Sequence, residues 1–546
     1  MVGANRHRAR GLVAALVAVL ALPGCYAVQH PEVAAERPDR PSDPIGARPT
    51  RAGGDLVMGL SAEPDKLDPT TSSSLYTRYV MNTICEKLYD IDASGKVVPQ
   101  LASALPKISA DGLTVSIGIR SGARFADGTS LDADAVRTTL QRNLTKKDST
   151  RKSELGPVDS VETASGSTVV LRYKTPFAPL TAALADRAGM IMSPKALDEL
   201  GDHFADRPTC VGPFRFVSRV PQTSITVEKD PAYYAADQVR LDTITYRIMA
   251  DANIRAANLR SGDIQVADTI STQDVDALIQ EKGIGVLQTS SLGYQAMTVN
   301  LGNVDGAGSP PGKIDTPLAD DPRIRLALAY AVDRGGLVNS VFNNWYEPAC
   351  SPISPVSAYA TPVSDACTPH DPAKARELLQ QAGVQVPFPI RVKTSNTAES
   401  LRYAQALQAA VEPAGFDLRI EPVEYSTLLD EQTAGKFEAI LLGWSGRIDP
   451  HGNMNSFLTT GGANNYSGYS NPRVDEAMKA AAQSTDTAQR AKLYGSVMTQ
   501  VRRDNPIIYL YRVRNLAAYT SDVAGVEIYP DGVVRLSRVA YLPQEG

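Results

Sequence analysis

Histidine and tryptophan are scarce in this chain, which has 5 His and 2 Trp among its 546 residues. Only His203, His370 and His451 fall in the part that we expect to fold. No two histidines have the spacing of a metal site, and the HExxH motif of zinc proteases is missing. We therefore expect neither a metal ion nor a cofactor.

Motifs of covalent catalysis and phosphate binding are missing as well. Gly443-Trp-Ser-Gly446 resembles a nucleophile elbow but lacks the GxSxG spacing. Gly308-Ser-Pro-Pro-Gly-Lys313 resembles a phosphate-binding loop, but its prolines remove amide donors that a phosphate would need. The net charge of −5 and the lack of a basic stripe argue against a nucleic-acid partner. We predict that the chain is not an enzyme.

Long apolar runs are also absent, apart from one near the N-terminus. Residues 11–22 form this run, after three arginines and before Pro23-Gly24-Cys25. The run is too short to span a bilayer, and its order is typical of an export signal cut before a lipid-modified cysteine. We predict a signal peptide over 1–24, lipidation of Cys25, and anchoring at the outer face of the cytoplasmic membrane. The alternative is a buried apolar helix followed by an unrelated cysteine.

The segment after the predicted cut is rich in Pro, Arg, Asp and Ala and shows no apolar periodicity. Such a composition buries too little apolar surface to offset the entropy lost on ordering. We predict that residues 25–53 are the lipidated cysteine and a flexible linker.

Four cysteines remain besides Cys25, and an even number in an exported protein favours disulfides. Cys350 and Cys367 flank a loop rich in Pro and Ser, so we predict that they are bridged. Cys85 and Cys210 then form the second pair by elimination. The alternative is two buried free thiols.

Strand and helix patterns alternate through the folded part, which predicts an α/β architecture. Apolar and polar residues alternate over 113–120, which is the period of a half-buried strand. Asp321-Pro322, Asp371-Pro372 and Asn471-Pro472 each place a capping side chain before a proline, which predicts a helix start. Gly383 is a predicted helix stop.

Polar and aromatic residues cluster after a predicted buried strand at 439–444. This strand ends in Trp444 and is followed by the polar segment 445–452 and the Gly/Asn/Tyr-rich segment 461–469. An aromatic wall beside free backbone groups suits the mouth of a ligand site. The alternative is a surface loop beside a core tryptophan.

A series of blocks follows one order along the chain and includes Gly212-Pro-Phe-Arg-Phe216 and Leu259-Arg-Ser-Gly262. The blocks lie at 111–128 with 133–136, 212–216, 259–262, 321–334, 374–383, the Trp444 segment and 469–475. Through these blocks and their order, the chain resembles the family 5 extracellular solute-binding proteins of ABC importers, which are the peptide/nickel/opine-binding group. The resemblance spans nearly all of residues 54–541.

The resemblance implies an α/β, bilobal periplasmic-binding-protein fold of type II with an extra inserted subdomain. Lobe I would comprise 54–291 and 512–546, with the subdomain at about 93–207. Lobe II would comprise 292–511. Two strands would form the hinge, and the ligand would lie in the cleft between the lobes.

The implied function is to capture a short peptide or peptide-like solute and to deliver it to the permease subunits of an ABC importer, which work with a cytoplasmic ATPase. The chain would be a monomer that meets the membrane only through its lipid anchor. One alternative is a receptor for a sugar, an opine or a metal chelate. Another is a signalling receptor that presents its ligand to a membrane sensor.

Two positions depart from the peptide binders of this family. Those proteins hold the ligand ammonium with an Asp three residues after the tryptophan, and this position is Arg447 here. Dipeptide binders hold the ligand carboxylate with an Arg whose position is Thr394 here. Because a cation cannot hold an ammonium, Arg447 would instead receive a carboxylate or phosphate, or pair with Asp449.

The resemblance gives a set of candidate ligand-binding residues, each of which is alternatively an ordinary core or surface residue. They are Trp444, Ser445, Gly446, Arg447, Asp449, Tyr425, Thr394, Asn396, Ser72, Ser73 and Ser74.

Overall fold

The computed structural model describes residues 37–543 of the chain. The predicted signal peptide, Cys25 and the first part of the predicted linker lie outside the described residues. Within residues 37–543, no helix is both long enough and apolar enough to cross a membrane.

The described part contains 23 strands and 17 α-helices. The strands are β1 (Asp55–Leu60), β2 (Tyr89–Ile91), β3 (Val97–Pro99), β4 (Lys107–Ile108), β5 (Thr114–Gly118), β6 (Val158–Ser165), β7 (Thr168–Tyr173), β8 (Phe214–Val220), β9 (Ser224–Lys229), β10 (Thr243–Ile248), β11 (Val266–Asp268), β12 (Ile284–Ser290), β13 (Tyr294–Val299), β14 (Glu347–Pro348), β15 (Phe388–Ser395), β16 (Phe416–Val423), β17 (Ala439–Trp444), β18 (Ile507–Arg512), β19 (Arg514–Thr520), β20 (Val523–Ala524), β21 (Glu527–Ile528), β22 (Val534–Arg535) and β23 (Ala540–Tyr541).

The helices are α1 (Leu75–Ile84), α2 (Ala133–Thr145), α3 (Lys152–Leu155), α4 (Leu180–Ala183), α5 (Pro194–Leu200), α6 (Ala252–Ser261), α7 (Val275–Gln280), α8 (Pro317–Asp320), α9 (Pro322–Ala331), α10 (Arg334–Phe342), α11 (Pro362–Asp365), α12 (Pro372–Ala382), α13 (Ala398–Val411), α14 (Tyr425–Thr433), α15 (His451–Leu458), α16 (Pro472–Gln483) and α17 (Thr487–Asp504).

A seven-stranded sheet forms lobe I, in the order β12-β19-β11-β1-β10-β9-β8. Its central strand β1 pairs in parallel with β10 and β11, and the outer pairs are antiparallel. Leu56, Met58 and Leu60 of β1 project to the same face and are fully buried. This face packs against α1 and the C-terminal strands to form the core of lobe I.

A six-stranded sheet forms lobe II, in the order β14-β18-β13-β17-β15-β16. β15 pairs in parallel with both β16 and β17, so the carboxyl ends of these three strands lie at one edge. Ile390 and Val392 are buried in β15 beside the exposed Arg391, and α9, α12 and α13 cover the buried face. Ligands in α/β sheets bind outside the carboxyl ends of parallel strands, so this edge is where a site is expected.

A four-stranded sheet, in the order β4-β5-β7-β6, forms a separate layer inserted before β8. Val115 and Ile117 of β5 are buried while the residues between them are half-buried, which confirms the alternation predicted for this segment. With α2 it encloses its own core, which spans Leu88 to Val211 apart from one contribution by Ala482 of lobe II. The inserted subdomain is therefore a distinct packing unit.

Two adjacent strands connect the lobes. The chain leaves lobe I after β12 and enters lobe II at β13, through residues 291–293. It returns from β18 to β19 through Val513 alone. The predicted lobe boundaries at 291/292 and 511/512 lie beside these two crossings. The molecule is thus a mixed α/β protein with two lobes and a two-strand hinge, as the sequence predicts.

The hinge passes directly against the end of β17. A side chain at Gly293 would overlap the carbonyl oxygen of Trp444, so the first crossing requires glycine. The guanidinium of Arg512 donates to the carbonyl of Gly293, which connects the two crossings.

The predicted helix starts and stop are confirmed. Asp321, Asp371 and Asn471 each cap a helix whose first residue is proline, and each side chain accepts a backbone N–H. Gly383 ends α12 with φ of 70°, a left-handed conformation that glycine adopts without strain.

The second half of the predicted linker is attached to lobe I. The backbone N–H of Arg40 donates to Gln288 of β12 at 2.7 Å, and that of Arg51 donates to Tyr541 at 2.8 Å. The first contact covers the edge strand of the lobe I sheet, where free backbone groups would otherwise face water. The linker prediction therefore does not hold for residues 38–53, because composition does not record these backbone hydrogen bonds.

Both predicted disulfides are present. Cys85 is bonded to Cys210 with a Cα–Cα distance of 4.9 Å, and Cys350 to Cys367 with a Cα–Cα distance of 5.1 Å. The first joins α1 to the segment before β8. The second closes the loop between β14 and α12.

We expect that replacing both Cys350 and Cys367 by serine lowers the free energy of unfolding by about 3 kcal/mol, because the unfolded chain regains the entropy of an open loop. Urea unfolding of the oxidised wild type and the double variant measures the difference. Peptide mapping without reductant should recover the linked pair. Free thiols at both positions, or equal stabilities, would contradict the prediction.

Candidate ligand-binding cleft

A cavity of about 350 Å³ lies between the two lobes in the described part of the chain. Lobe I contributes the start of α1 and the turn before α6, and lobe II contributes the start of α13 and the ends of β15 and β17. The hinge contributes Ser291 and Val513. Both lobes and the hinge therefore enclose this space, and it has the size of a site for a small organic ligand.

Aromatic side chains from both lobes line the cavity. They are Tyr76, Tyr79, Tyr346, Tyr425, Trp444 and Tyr511. The ring of Tyr76 in lobe I meets the ring of Tyr425 in lobe II edge-on, with centroids 5.6 Å apart. This contact closes one side of the cavity and places the predicted Tyr425 at its wall.

Trp444 lies where β17 ends, at the edge that the sheet topology marks for ligand binding. Its indole is 8% exposed, and Nε1 donates to Asn453 Oδ1 at 3.0 Å. The same oxygen accepts the backbone N–H of Arg447 at 2.7 Å, so the following loop folds back on the indole. Trp444 and Ser445 line the cavity. Gly446 lies behind them with φ of 88°, where a Cβ would overlap Leu292.

Arg447 is buried and forms an ion pair across the lobes. Its Nε lies 3.0 Å from Asp186 Oδ2, and its Nη2 lies 3.8 Å from Glu154 Oε1. Both carboxylates belong to the inserted subdomain, whereas Arg447 belongs to lobe II. The guanidinium also stacks on Trp444 at 4.2 Å. Burial lowers the pKa of Arg447 to about 10, although Asp186 opposes this effect.

Asp186 is the shared partner of arginines from both lobes. It lies 3.1 Å from Arg78 of α1 as well as 3.0 Å from Arg447. Burial disfavours its charged form, but the guanidinium groups of Arg447 and Arg78 outweigh burial and hold the pKa of this carboxyl well below its usual range. Asp186 therefore stays ionised and joins the lobes in the closed arrangement.

Asp449 does not pair with Arg447. Both its oxygens accept from Arg490 of α17, at 2.7 and 2.8 Å, and Oδ1 also accepts the backbone N–H of His451 at 2.9 Å. The alternative that Arg447 pairs internally with Asp449 is thus wrong. Asp449 fixes the loop after β17 to the helix behind it.

Buried arginines outnumber the carboxylates behind Trp444. The group consists of Arg78, Arg151, Arg187 and Arg447, with Asp186, Glu154 and Asp531. Arg151 and Arg187 are fully buried, and burial lowers the pKa of Arg187 to about 10. Two nitrogens of Arg187 have no hydrogen-bond partner among the described residues. The sequence did not reveal this group, because its members come from five separate segments.

Two of the three serines before α1 contact the arginines, and both do so through backbone carbonyls. The carbonyl of Ser72 accepts from Arg151, and that of Ser74 accepts from Arg187, both at 3.1 Å. Ser74 Oγ caps α1 by accepting from the backbone of Tyr76. Ser73 is the one of the three that reaches a cavity, a smaller space of about 60 Å³ beside Trp444.

The structure does not place Thr394 or Asn396 at the main cavity. Thr394 is buried within β15, and Asn396 is exposed. Their neighbours Ser395 and Thr397 line the cavity instead. Successive side chains of a strand point to opposite faces, so a count displaced by one residue selects the wrong face.

Two charged residues that the sequence reasoning missed line the cavity on the first turns of α13. Glu399 and Arg402 follow β15, at the carboxyl end of a parallel strand. Their place just after a parallel strand could have identified these two residues, since ligands bind at the carboxyl ends of such strands. Among the described residues, no group of three His, Cys, Asp or Glu side chains could hold a metal ion.

Two lobes that enclose a cavity around a two-strand hinge define a bilobal binding protein. The family model "Bacterial extracellular solute-binding proteins, family 5 Middle" matches residues 96–465. The chain belongs to this family, so it is a solute-binding protein of ABC importers and not an enzyme.

Known relatives cover most of the chain. The glutathione-binding protein GsiB of Pectobacterium atrosepticum is 27% identical over 498 residues, which cover 89% of this chain and 94% of that protein. The structure of AgaA from A. tumefaciens R10 in complex with agropinic acid covers 88% of this chain and 99% of its own, with 23% identity and a TM-score of 0.80. The structure of the dipeptide-binding protein of Pseudoalteromonas sp. SM9913 in complex with Met-Leu covers 89% of this chain and 100% of its own. Its identity is 20% and its TM-score is 0.81.

His451 makes a second contact between the lobes. Its ring meets Phe177 of the inserted subdomain edge-on, with centroids 5.5 Å apart. Burial is the main cause that lowers the pKa of His451 from 6.5 to about 4, although Asp449 opposes it. The imidazole is therefore neutral in the folded protein at neutral pH.

We expect His451 to make the protein sensitive to acid. Between pH 6.5 and 4 the unfolded chain binds this proton and the folded chain does not, so the free energy of unfolding falls as pH falls, by roughly 3 kcal/mol. Urea unfolding of His451→Gln at pH 6.5, 5 and 4 should show a correspondingly weaker loss than the wild type. His203→Gln, at an exposed histidine, is the control. Equal slopes for His451→Gln and the wild type would refute the assignment.

We also expect Asp186→Asn to favour the open arrangement, because it leaves buried arginines of both lobes without their shared carboxylate. Loss of one member of a buried ion pair costs about 3 kcal/mol or more. Small-angle scattering of the ligand-free protein should show a larger radius of gyration for this variant than for the wild type. Asp134→Asn, on an exposed pair of α2, should scatter like the wild type. An unchanged radius for Asp186→Asn would show that this carboxylate does not hold the lobes together.

Proposed function

We propose that this protein captures a short, anionic peptide or peptide-like solute in the cleft between its lobes and delivers it to the permease of an ABC importer. The observation that supports this proposal is the cavity of about 350 Å³, walled by aromatic side chains of both lobes. Aromatic walls bind the apolar and amide parts of a peptide. A volume of this size suits two or three residues rather than a long peptide.

Ligand binding and closure are coupled in this proposal. A ligand that touches Tyr76 of lobe I and Tyr425 of lobe II has contacts in the closed form that the open form cannot offer. Only such a difference in affinity can shift the equilibrium between the two forms. The permease would then recognise the closed protein.

The charge around the cleft favours an anionic ligand. Four buried arginines face three carboxylates behind Trp444, since Arg78 also pairs with Asp531, and the excess of arginines makes the potential on this side positive. The 27% identity to a glutathione-binding protein over 89% of the chain agrees with a ligand of this kind. Glutathione is a tripeptide with more carboxylates than ammonium groups, and we propose it as the first compound to test.

An anionic opine is the second candidate. Arg447 stands where the family's peptide binders have the Asp that holds the ligand ammonium. The fold agrees with that of AgaA, whose structure contains agropinic acid. A ligand without a free N-terminal ammonium would not need the missing Asp.

We further propose that the mature protein is a monomer, exported and held at the outer face of the cytoplasmic membrane by lipid on Cys25. The sequence supports this through the order of arginines, short apolar run and cysteine at the N-terminus. Any tether that ends at Pro38 would join the protein at lobe I, since residues 38–53 are hydrogen-bonded there.

We expect the purified protein to bind glutathione with micromolar or better affinity and to gain thermal stability from it. Calorimetry and thermal unfolding should be run with glutathione, Met-Leu, agropinic acid and a nickel–histidine complex. Tyr425→Ala should weaken the binding of the preferred compound about tenfold, because it removes one aromatic wall. Tyr330→Ala, outside the cleft, is the control.

Preference for agropinic acid over both peptides would replace the first candidate by the second. Native mass spectrometry of the protein as purified, followed by denaturation, should release any ligand retained from the cell. Absence of binding by all four compounds and of any retained ligand would contradict the proposed function.

A further inference from the structure

Glu399 and Arg402 occupy positions three residues apart on α13, where opposite charges usually pair. Asp134 and Arg137 have the same spacing and order on α2, and their ion pair closes at 3.1 Å. Lys374 and Glu377 on α12 close at 2.9 Å. Among the described residues, no ion pair within 4.0 Å joins Glu399 to Arg402, although the charge of Arg402 is near enough to act on the carboxylate.

The carboxylate of Glu399 has only one hydrogen bond in the described part of the chain. The hydroxyl of Tyr346 donates to its Oε1 at 3.3 Å. Two carboxylate oxygens can accept several hydrogen bonds, so most of this capacity faces the cavity unused. Burial raises the pKa of Glu399, and the hydrogen bond from Tyr346 and the charges of Arg402 and Arg255 oppose this effect without outweighing it.

Arg255 is the other cation whose charge acts on Glu399, and it is already engaged by other groups. Arg255 donates to the carbonyls of Met249, Ala250 and Thr269, and it lies 3.7 Å from Asp268. It therefore does not serve as the close counterion of Glu399.

Arg402 is the cationic counterpart. Within residues 37–543 its guanidinium has neither a hydrogen bond nor an ion pair, and its Nη1 is buried. The rest of the half-buried side chain is less enclosed, but withdrawing the Nη1 donors from water without a partner costs free energy. A ligand that supplied an acceptor would recover that cost.

We propose that Glu399 and Arg402 hold the two charges of an α-amino-acid head group, the ammonium on Glu399 and the carboxylate on Arg402. Side chains three residues apart on a helix have Cβ atoms about 5–6 Å apart, and the two charges of such a head group lie on one carbon. The tyrosine rings around Glu399 favour a cation at the carboxylate. This inference rests on the proposed function.

Glu399 and Arg402 would supply the ammonium and carboxylate contacts that Arg447 and Thr394 do not provide. The ammonium would be held from α13 and not from the loop after Trp444. The rest of the ligand would then extend along the aromatic walls towards the positive side of the cleft. The protein should accordingly reject compounds whose head group has lost either charge.

Calorimetry with glutathione, whose γ-glutamyl residue carries a free α-amino-acid head group, and with its N-acetyl derivative tests the inference. We expect the wild type to bind glutathione at least tenfold more tightly than the derivative. Glu399→Gln should remove most of that preference, and Arg402→Gln should weaken glutathione binding at least tenfold. The double variant Asp134→Asn/Arg137→Gln, at the same helical spacing outside the cleft, should bind like the wild type.

Equal binding of glutathione and its N-acetyl derivative by the wild type, or unchanged binding by Glu399→Gln, would overturn the inference and leave the proposed function in place. Binding of agropinic acid without binding of glutathione would have the same consequence. If no compound binds and no retained ligand is found, both the inference and the proposed function are overturned. Thermal unfolding of each variant establishes that a loss of binding does not reflect a loss of folding.

Discussion

The closed arrangement depends on charge buried between the lobes, and Asp186 is at its centre. This carboxylate belongs to the inserted subdomain and contacts Arg78 of lobe I and Arg447 of lobe II. Burying a carboxylate costs free energy unless cations surround it. Burying a cation costs free energy in the same way unless it is paired with a carboxylate. Separation of the lobes exposes both to water, so the ion pair adds little net free energy but fixes the geometry in which the lobes meet.

Closure and recognition use different residues of the cleft. Arg447 and Asp186 lie behind Trp444 and contact each other, whereas Glu399 and Arg402 line the main cavity and form no ion pair within residues 37–543. Trp444 separates the two regions, with the guanidinium of Arg447 on its ring. Arg447, for which the resemblance to peptide binders predicts a place at the ligand ammonium, thus serves interlobe contact here. Ligand selection can then reside on α13, at the end of a neighbouring strand.

Local signals predicted the fold well and long-range contacts poorly. The Asx-Pro caps, the alternation around Val115 and both disulfides depend on neighbouring residues or on a small set of pairings, and all are confirmed. The partner of Arg447 lies in a distant segment, which no periodicity records. In β15 the resemblance selected Thr394, whereas Ser395 lines the cavity. The attachment of residues 38–53 uses backbone groups, to which composition is insensitive.

The N-terminal attachment also has a mechanical consequence. Asp39 accepts the backbone N–H of Ser290 at 3.0 Å and pairs with Arg514 at 2.7 Å, so one side chain is tied to both hinge strands. A force transmitted along the preceding chain therefore enters the molecule next to its pivot. With so short a lever arm, such a pull exerts little torque on lobe II. Movement of the lobes can then respond to ligand and remain nearly independent of tension at the N-terminus.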